Sequence, residues 1–144
     1  MATQTESTLN SLLRGELSAT ETYQQALDKV GDEPGAEEVR RIHREHREAA
    51  NTLRLHIHDH GGRPDHGSGV WGAFAKAIES MAKLFGDSSA LCTLREGEKQ
   101  GLNSYHDALK DPELSTDCKE LIRSHLLPKT EEHVKTLDRL IKAM

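Results

Sequence analysis

Four residues of this chain have the types and spacing to do chemistry inside a helical protein: Glu16, His46, Glu98 and His133. Glu16 stands in the series Leu9, Leu12, Glu16, Ala19, Tyr23, Ala26. Glu98 stands in Leu91, Leu94, Glu98, Gly101, Tyr105, Ala108, with the same spacing. Steps of three and four residues put each series on one helix face, so each apolar stripe points a carboxylate and a phenol inward. His46 belongs to a third stripe (Val39, His46, Ala50, Leu53, Ile57) that recurs as Leu126, His133, Leu137, Leu140, Met144. A buried carboxylate needs partners, because its desolvation is otherwise uncompensated. Two glutamates and two histidines, with His43 at the edge of its stripe, make a donor set suited to one transition-metal ion such as Fe, Zn or Mn. The same groups can also close on themselves as a metal-free Glu–His–Tyr network. Helical side chains lean toward the helix N-terminus, which directs Tyr23 and Tyr105 toward the glutamate one heptad earlier on the same helix, as outer hydrogen-bond donors.

These groups are positioned by a duplicated helix hairpin. The first helix is expected from Thr5 or Ser7 to about Val30, where Gly31 ends it, and the second from Ala36 to His60, where Gly61-Gly62 stops it. A shorter helix is expected from Val70 to Phe85, followed by one from Ser88 or Ser89 to Leu109. The last runs from Ser115 or Thr116 to Met144, with Pro128 inside it as a kink or a missing backbone bond. The Val70–Phe85 segment would rise about 24 Å, nearly the height of a bundle. It can therefore carry the chain from one end to the other and leave the second and fourth helices of the chain parallel. One domain follows, with a hairpin over 7–60, a crossover over 61–87 and a hairpin over 88–144. Trp71, Phe74 and Phe85 are expected to seat the crossover helix on the bundle.

Composition narrows the alternatives. Of 144 residues, 30% are charged and only 3% aromatic, which favours long helices with solvated outer faces. The formal net charge of −5 is mixed in sign along the chain, and no basic stripe carries interleaved aromatics; a nucleic-acid binder is not indicated. No segment is apolar enough for export or for a membrane span, so a cytoplasmic protein with Cys92 and Cys118 as reduced thiols is expected. There is no Gly-x-Ser-x-Gly elbow and no phosphate loop, and no enzyme class is indicated. His56-Ile-His-Asp-His60, with His66, looks like a metal tag, but histidines at a helix C-terminus favour the dipole in solvent and bind added Ni or Zn adventitiously. His106 and His125 fall off the core stripes and are expected at the surface.

Gly15-Glu16, Gly61-Gly62-x-Pro64 followed by Ser68-Gly69, and Glu96-Gly97-Glu98 leading to Tyr105-x-x-Ala108-Leu109 occur in an order and spacing that resembles the ferritin-like superfamily. The similarity is greatest to a bacterial group of ferritin-like four-helix-bundle proteins of uncharacterised function. The resemblance implies an all-α, up-down four-helix bundle with a long crossover. Di-iron members of that superfamily carry Glu-x-x-His on each second helix; here His43 and Thr130 stand where the bridging carboxylates would be. The resemblance therefore implies a ferritin-like core that binds one metal ion, with redox or iron-handling chemistry, or a non-enzymatic structural or stress-related module built on the same scaffold. Bundles of this type often pair, so a homodimer is compatible, although no surface stripe is apolar enough to require one.

Overall fold

The computed structural model describes residues 4–30, 35–65 and 89–143, and all regular structure among them is helical. Helix α1 spans Gln4–Val30, α2 Ala36–Asp59, α3 Ser89–Lys110, α4 Thr116–Leu121 and α5 Leu127–Lys142; a π-helical segment, Ile122–Leu126, joins the last two. The expected crossover helix at Val70–Phe85, with Trp71, Phe74 and Phe85, lies outside the described residues, as do His66 and Met144.

Local chemistry sets the helix ends. Gly35 adopts φ 92° and turns the chain into α2, whose first turn carries Glu37 and Glu38 against the positive end of the helix dipole. At its other end Gly61, at φ 76°, donates to His58 O, and Gly62 donates to Ile57 O, both at 2.9 Å. These two bonds satisfy carbonyls that the last turn would leave open, and the left-handed turn suits glycine. α3 stops at Asp111-Pro112, where Asp111 Oδ1 accepts from Glu113 N–H at 2.9 Å.

Pro128 acts as expected on the last helix, in a particular way. It has no N–H to give, and its ring crowds the preceding turn. The turn just before it is widened: Leu127 N–H bonds Ile122 O, five residues back. This π turn also keeps the core face in register. Cys118, Ile122, Leu126 and Thr130 are all buried, yet each four-residue step drifts by about 40° on an ideal α-helix. Local underwinding absorbs that drift, so that His133 and Leu137 still face inward.

The loops fix the helix directions. Thr8 Oγ1 donates to Asp111 Oδ2 at 3.1 Å, and Asn10 holds the backbone of Arg63 and Asp65 at 3.0 and 2.8 Å. α2 and α3 therefore both end beside the start of α1 and run parallel to each other, antiparallel to α1. α1 packs against α2, and α3 against α5.

Among the described residues the interior has two apolar plugs. One gathers Leu9, Leu13, Leu53, Ile57, Cys118 and Ile122; the other gathers Ala19, Ala26, Val39, Ile42, Leu94 and Leu137. Burying such side chains is the main stabilising term, about 1.5–3 kcal/mol for each large one. The polar residues singled out in the sequence lie between the two plugs.

Candidate metal centre

Glu16 on α1, His46 on α2, Glu98 on α3 and His133 on α5 are all buried, none more than 6% exposed. The structure brings them into one contiguous cluster. Both ring nitrogens of His46 meet carboxylates: Nδ1 lies 2.5 Å from Glu16 Oε2, and Nε2 lies against Glu98 Oε1. His133 Nδ1 faces the same Glu98 carboxylate, 3.3 Å from Oε1 and 3.4 Å from Oε2. The two imidazoles lie side by side, ring centroids 4.8 Å apart.

The tyrosines depart from expectation. Tyr23 donates to Glu98 Oε1 at 2.8 Å, and Tyr105 donates to Glu16 Oε1. Each phenol thus serves the glutamate of the other repeat and not the one a heptad earlier on its own helix. α1 and α3 are antiparallel, so a residue one heptad along one helix comes level with the glutamate of the other. Tyr23 also stacks on His46, centroids 5.2 Å apart.

Two further residues correct the sequence reading. Glu45, which lies off the apolar stripe of α2, keeps only 14% of its side chain exposed and places Oε1 2.9 Å from His133 Nε2; Lys129 Nζ holds its other oxygen at 3.1 Å. The side chain is long enough to reach round the helix to its neighbour, and a stripe count does not register that reach. His43 is not brought to the cluster. It is half-buried on the flank of α2, in a groove lined by Thr20, Glu21, Gln24 and Arg47. His106 and His125 are exposed, as expected.

Electrostatics follow from this geometry. Burial pushes the His46 imidazole down, but the carboxylates of Glu98 and Glu16 more than offset it, and its pKa stands well above the ordinary value. Burial pushes Glu98 up, yet His46 and His133 hold it well below the carboxylate range. Both phenols are raised, by burial first and then by Glu98 for Tyr23 and Glu16 for Tyr105; they remain hydrogen-bond donors. Glu45 is lowered: burial opposes this, but bonds from His133 and Lys129 prevail. A cavity of about 40 Å³ borders Glu16, Tyr23, His46, Glu98, Gly101 and Tyr105, and the small residues of the stripes leave that room. It exceeds what one water or ion requires.

Residues 4–111 match the family described as a domain of unknown function (DUF2383). The chain belongs to this family. The DUF2383 match takes in Glu16, Tyr23, His46, Glu98 and Tyr105 and ends before His133. No curated protein and no solved structure matches the chain. Among the described residues, no helix is long and apolar enough to cross a membrane.

Proposed function

We propose that this DUF2383 protein binds one divalent transition-metal ion, of the iron, zinc or manganese class, through His46 Nε2, His133 Nδ1 and the Glu98 carboxylate. One observation carries the reading: His46, Glu98 and His133 each offer a donor atom within 4.8 Å of the others, and the remaining nitrogen of each histidine is already bonded to a carboxylate, Glu16 for His46 and Glu45 for His133. Metal-binding imidazoles are characteristically held this way, with the outer carboxylate fixing tautomer and ring orientation. Two imidazoles and one carboxylate suit first-row divalent ions. Three protein donors leave positions open for water or a small ligand. In this arrangement Glu16 positions His46 and is not itself a ligand, and Tyr23 orients Glu98. The parallel α2 and α3, the chain between them and the inward histidine on each second helix support a ferritin-like bundle as the scaffold.

A second reading, a metal-free structural module, has its own supporting observation. Among the described residues the buried side-chain polar atoms without a partner are Arg41 Nε, Arg95 Nε and Ser115 Oγ, and none belongs to the cluster. With His46 doubly protonated between two carboxylates, the network closes without an ion. Anomalous diffraction separates the two readings. Crystals of untagged protein, soaked with Zn(II) or Mn(II), should give one peak between His46 Nε2, His133 Nδ1 and Glu98. An empty map there, together with a melting temperature that chelator and metal shift no more in wild type than in His133→Ala, returns the cluster to the metal-free reading.

A further inference from the structure

The histidines at the end of α2 are not alone. α4 begins directly beside them, and His56, His60, Asp117 and Cys118 offer donor atoms that all lie within 4.8 Å of one another. Cys118 Sγ is 3.5 Å from His60 Nε2 and 3.9 Å from His56 Nδ1; Asp117 Oδ2 is 3.0 Å from His60 Nε2 and 4.0 Å from His56 Nδ1. We propose that these four residues form a zinc site, separate from the buried Glu/His cluster, that clips the C-terminal end of α2 to the N-terminal end of α4.

The geometry favours a metal over a nucleophile. In a cysteine–histidine–aspartate relay the thiol and the carboxylate engage opposite nitrogens of the imidazole. Here both engage the same one, Nε2 of His60, so the groups converge on a point and do not form a chain. Cys118 is also fully buried, and no substrate reaches its sulfur. Convergence suits a tetrahedral ion: with Zn–S about 2.3 Å and Zn–N about 2.0–2.1 Å, donors stand roughly 3.3–3.6 Å apart. The observed separations bracket that range, and His60 and Asp117, both exposed, are free to make the final adjustment. Two imidazoles, a thiolate and a carboxylate complete four protein donors, the closed set of a structural zinc site. As the Zn–S bond forms, the Cys118 thiol proton passes to solvent. The clip joins two segments far apart in sequence, so the ion stabilises the folded chain by the free energy of its binding.

Cobalt(II) is the probe, because it reports both tetrahedral geometry and a sulfur ligand. The full-length chain, stripped with chelator and titrated with Co(II), should develop intense tetrahedral d–d bands and a thiolate-to-cobalt charge-transfer band that Zn(II) bleaches. The charge-transfer band should disappear in Cys118→Ser and in His60→Ala, and both features should survive in His133→Ala, which silences the buried cluster. Because Cys118 lies in the core, its variant could fail to fold; His60 is exposed, and His60→Ala alone then decides. The proposal is overturned if no charge-transfer band forms, if the band persists in folded His60→Ala, or if cobalt binds with the weak pink spectrum of octahedral imidazole and water ligation, the mark of adventitious capture by His56 and His60.

Discussion

Tyr23 donates its hydroxyl to Glu98, 2.8 Å away on α3, and the repeat makes the same exchange in reverse between Tyr105 and Glu16. The two halves of the chain are thereby cross-wired at the level of the site. Each glutamate meets a histidine of its own hairpin, but its phenol donor comes from the other, so the polar layer is complete only when both are docked.

Removal of one such donor should be costly. Tyr23→Phe leaves Glu98 buried with one bond fewer, and a hydrogen bond to a charged group contributes about 1.5–3 kcal/mol. Urea unfolding followed by circular dichroism should show a loss of that size with an unchanged slope. A loss below about 0.5 kcal/mol would mean that the phenol only packs.

Stability of the metal-stripped chain should have a maximum between pH 4.5 and 6.5. Glu98 is lowered in the folded state from a reference of 4.5, so its contribution is present above that pH and is lost as pH falls toward its folded value. His46 is raised from 6.5, so its contribution is complete below 6.5 and is lost as pH rises through its folded value. Thermal melts across pH should fall on both sides. In His46→Gln the decline above pH 6.5 should flatten; an undiminished alkaline decline would assign it to another group.

Glu45→Gln should weaken metal binding at the buried cluster without abolishing it. It keeps the shape of the side chain but removes the charge that faces His133 Nε2, and loss of such an outer carboxylate typically costs about 10–100-fold in affinity. Competition titration against a chromophoric chelator measures this, with His60→Ala as background to silence the second site. Wild-type affinity in Glu45→Gln would remove Glu45 from the site.

Two substitutions test the scaffold apart from the site. Leu53 is fully buried in the plug it shares with Leu9, Leu13 and Ile122, and Leu53→Ala should cost about 2–5 kcal/mol. Gly61 has nothing within 4 Å of a built Cβ, so Gly61→Ala should cost only the strain of φ 76°, about 1–2 kcal/mol. A Gly61→Ala protein as stable as wild type would show that the α2 terminus does not need the left-handed turn.

Much of this molecule was legible along the chain. Periodicity alone placed Glu16, His46, Glu98 and His133 on inward stripes, and all four are buried; Gly61 and Asp111-Pro112 marked helix ends for reasons of backbone chemistry. The length between the two hairpins allowed α2 and α3 to run parallel. Burial of a stripe is a property of one helix, which is why the sequence by itself determined it.

What lies between helices was decided only by the tertiary structure. Which glutamate each tyrosine meets depends on the antiparallel register of α1 and α3, and no spacing within either helix encodes that register. Glu45 entered the site because packing brought His133 within reach of a side chain off the stripe, and His43 stayed out because its own phase faces the flank. Cys118 gained His56 and His60 as neighbours only when α4 docked on the end of α2. Contacts of this kind join residues dozens of positions apart, and their partners are chosen by the packing of apolar plugs above and below them.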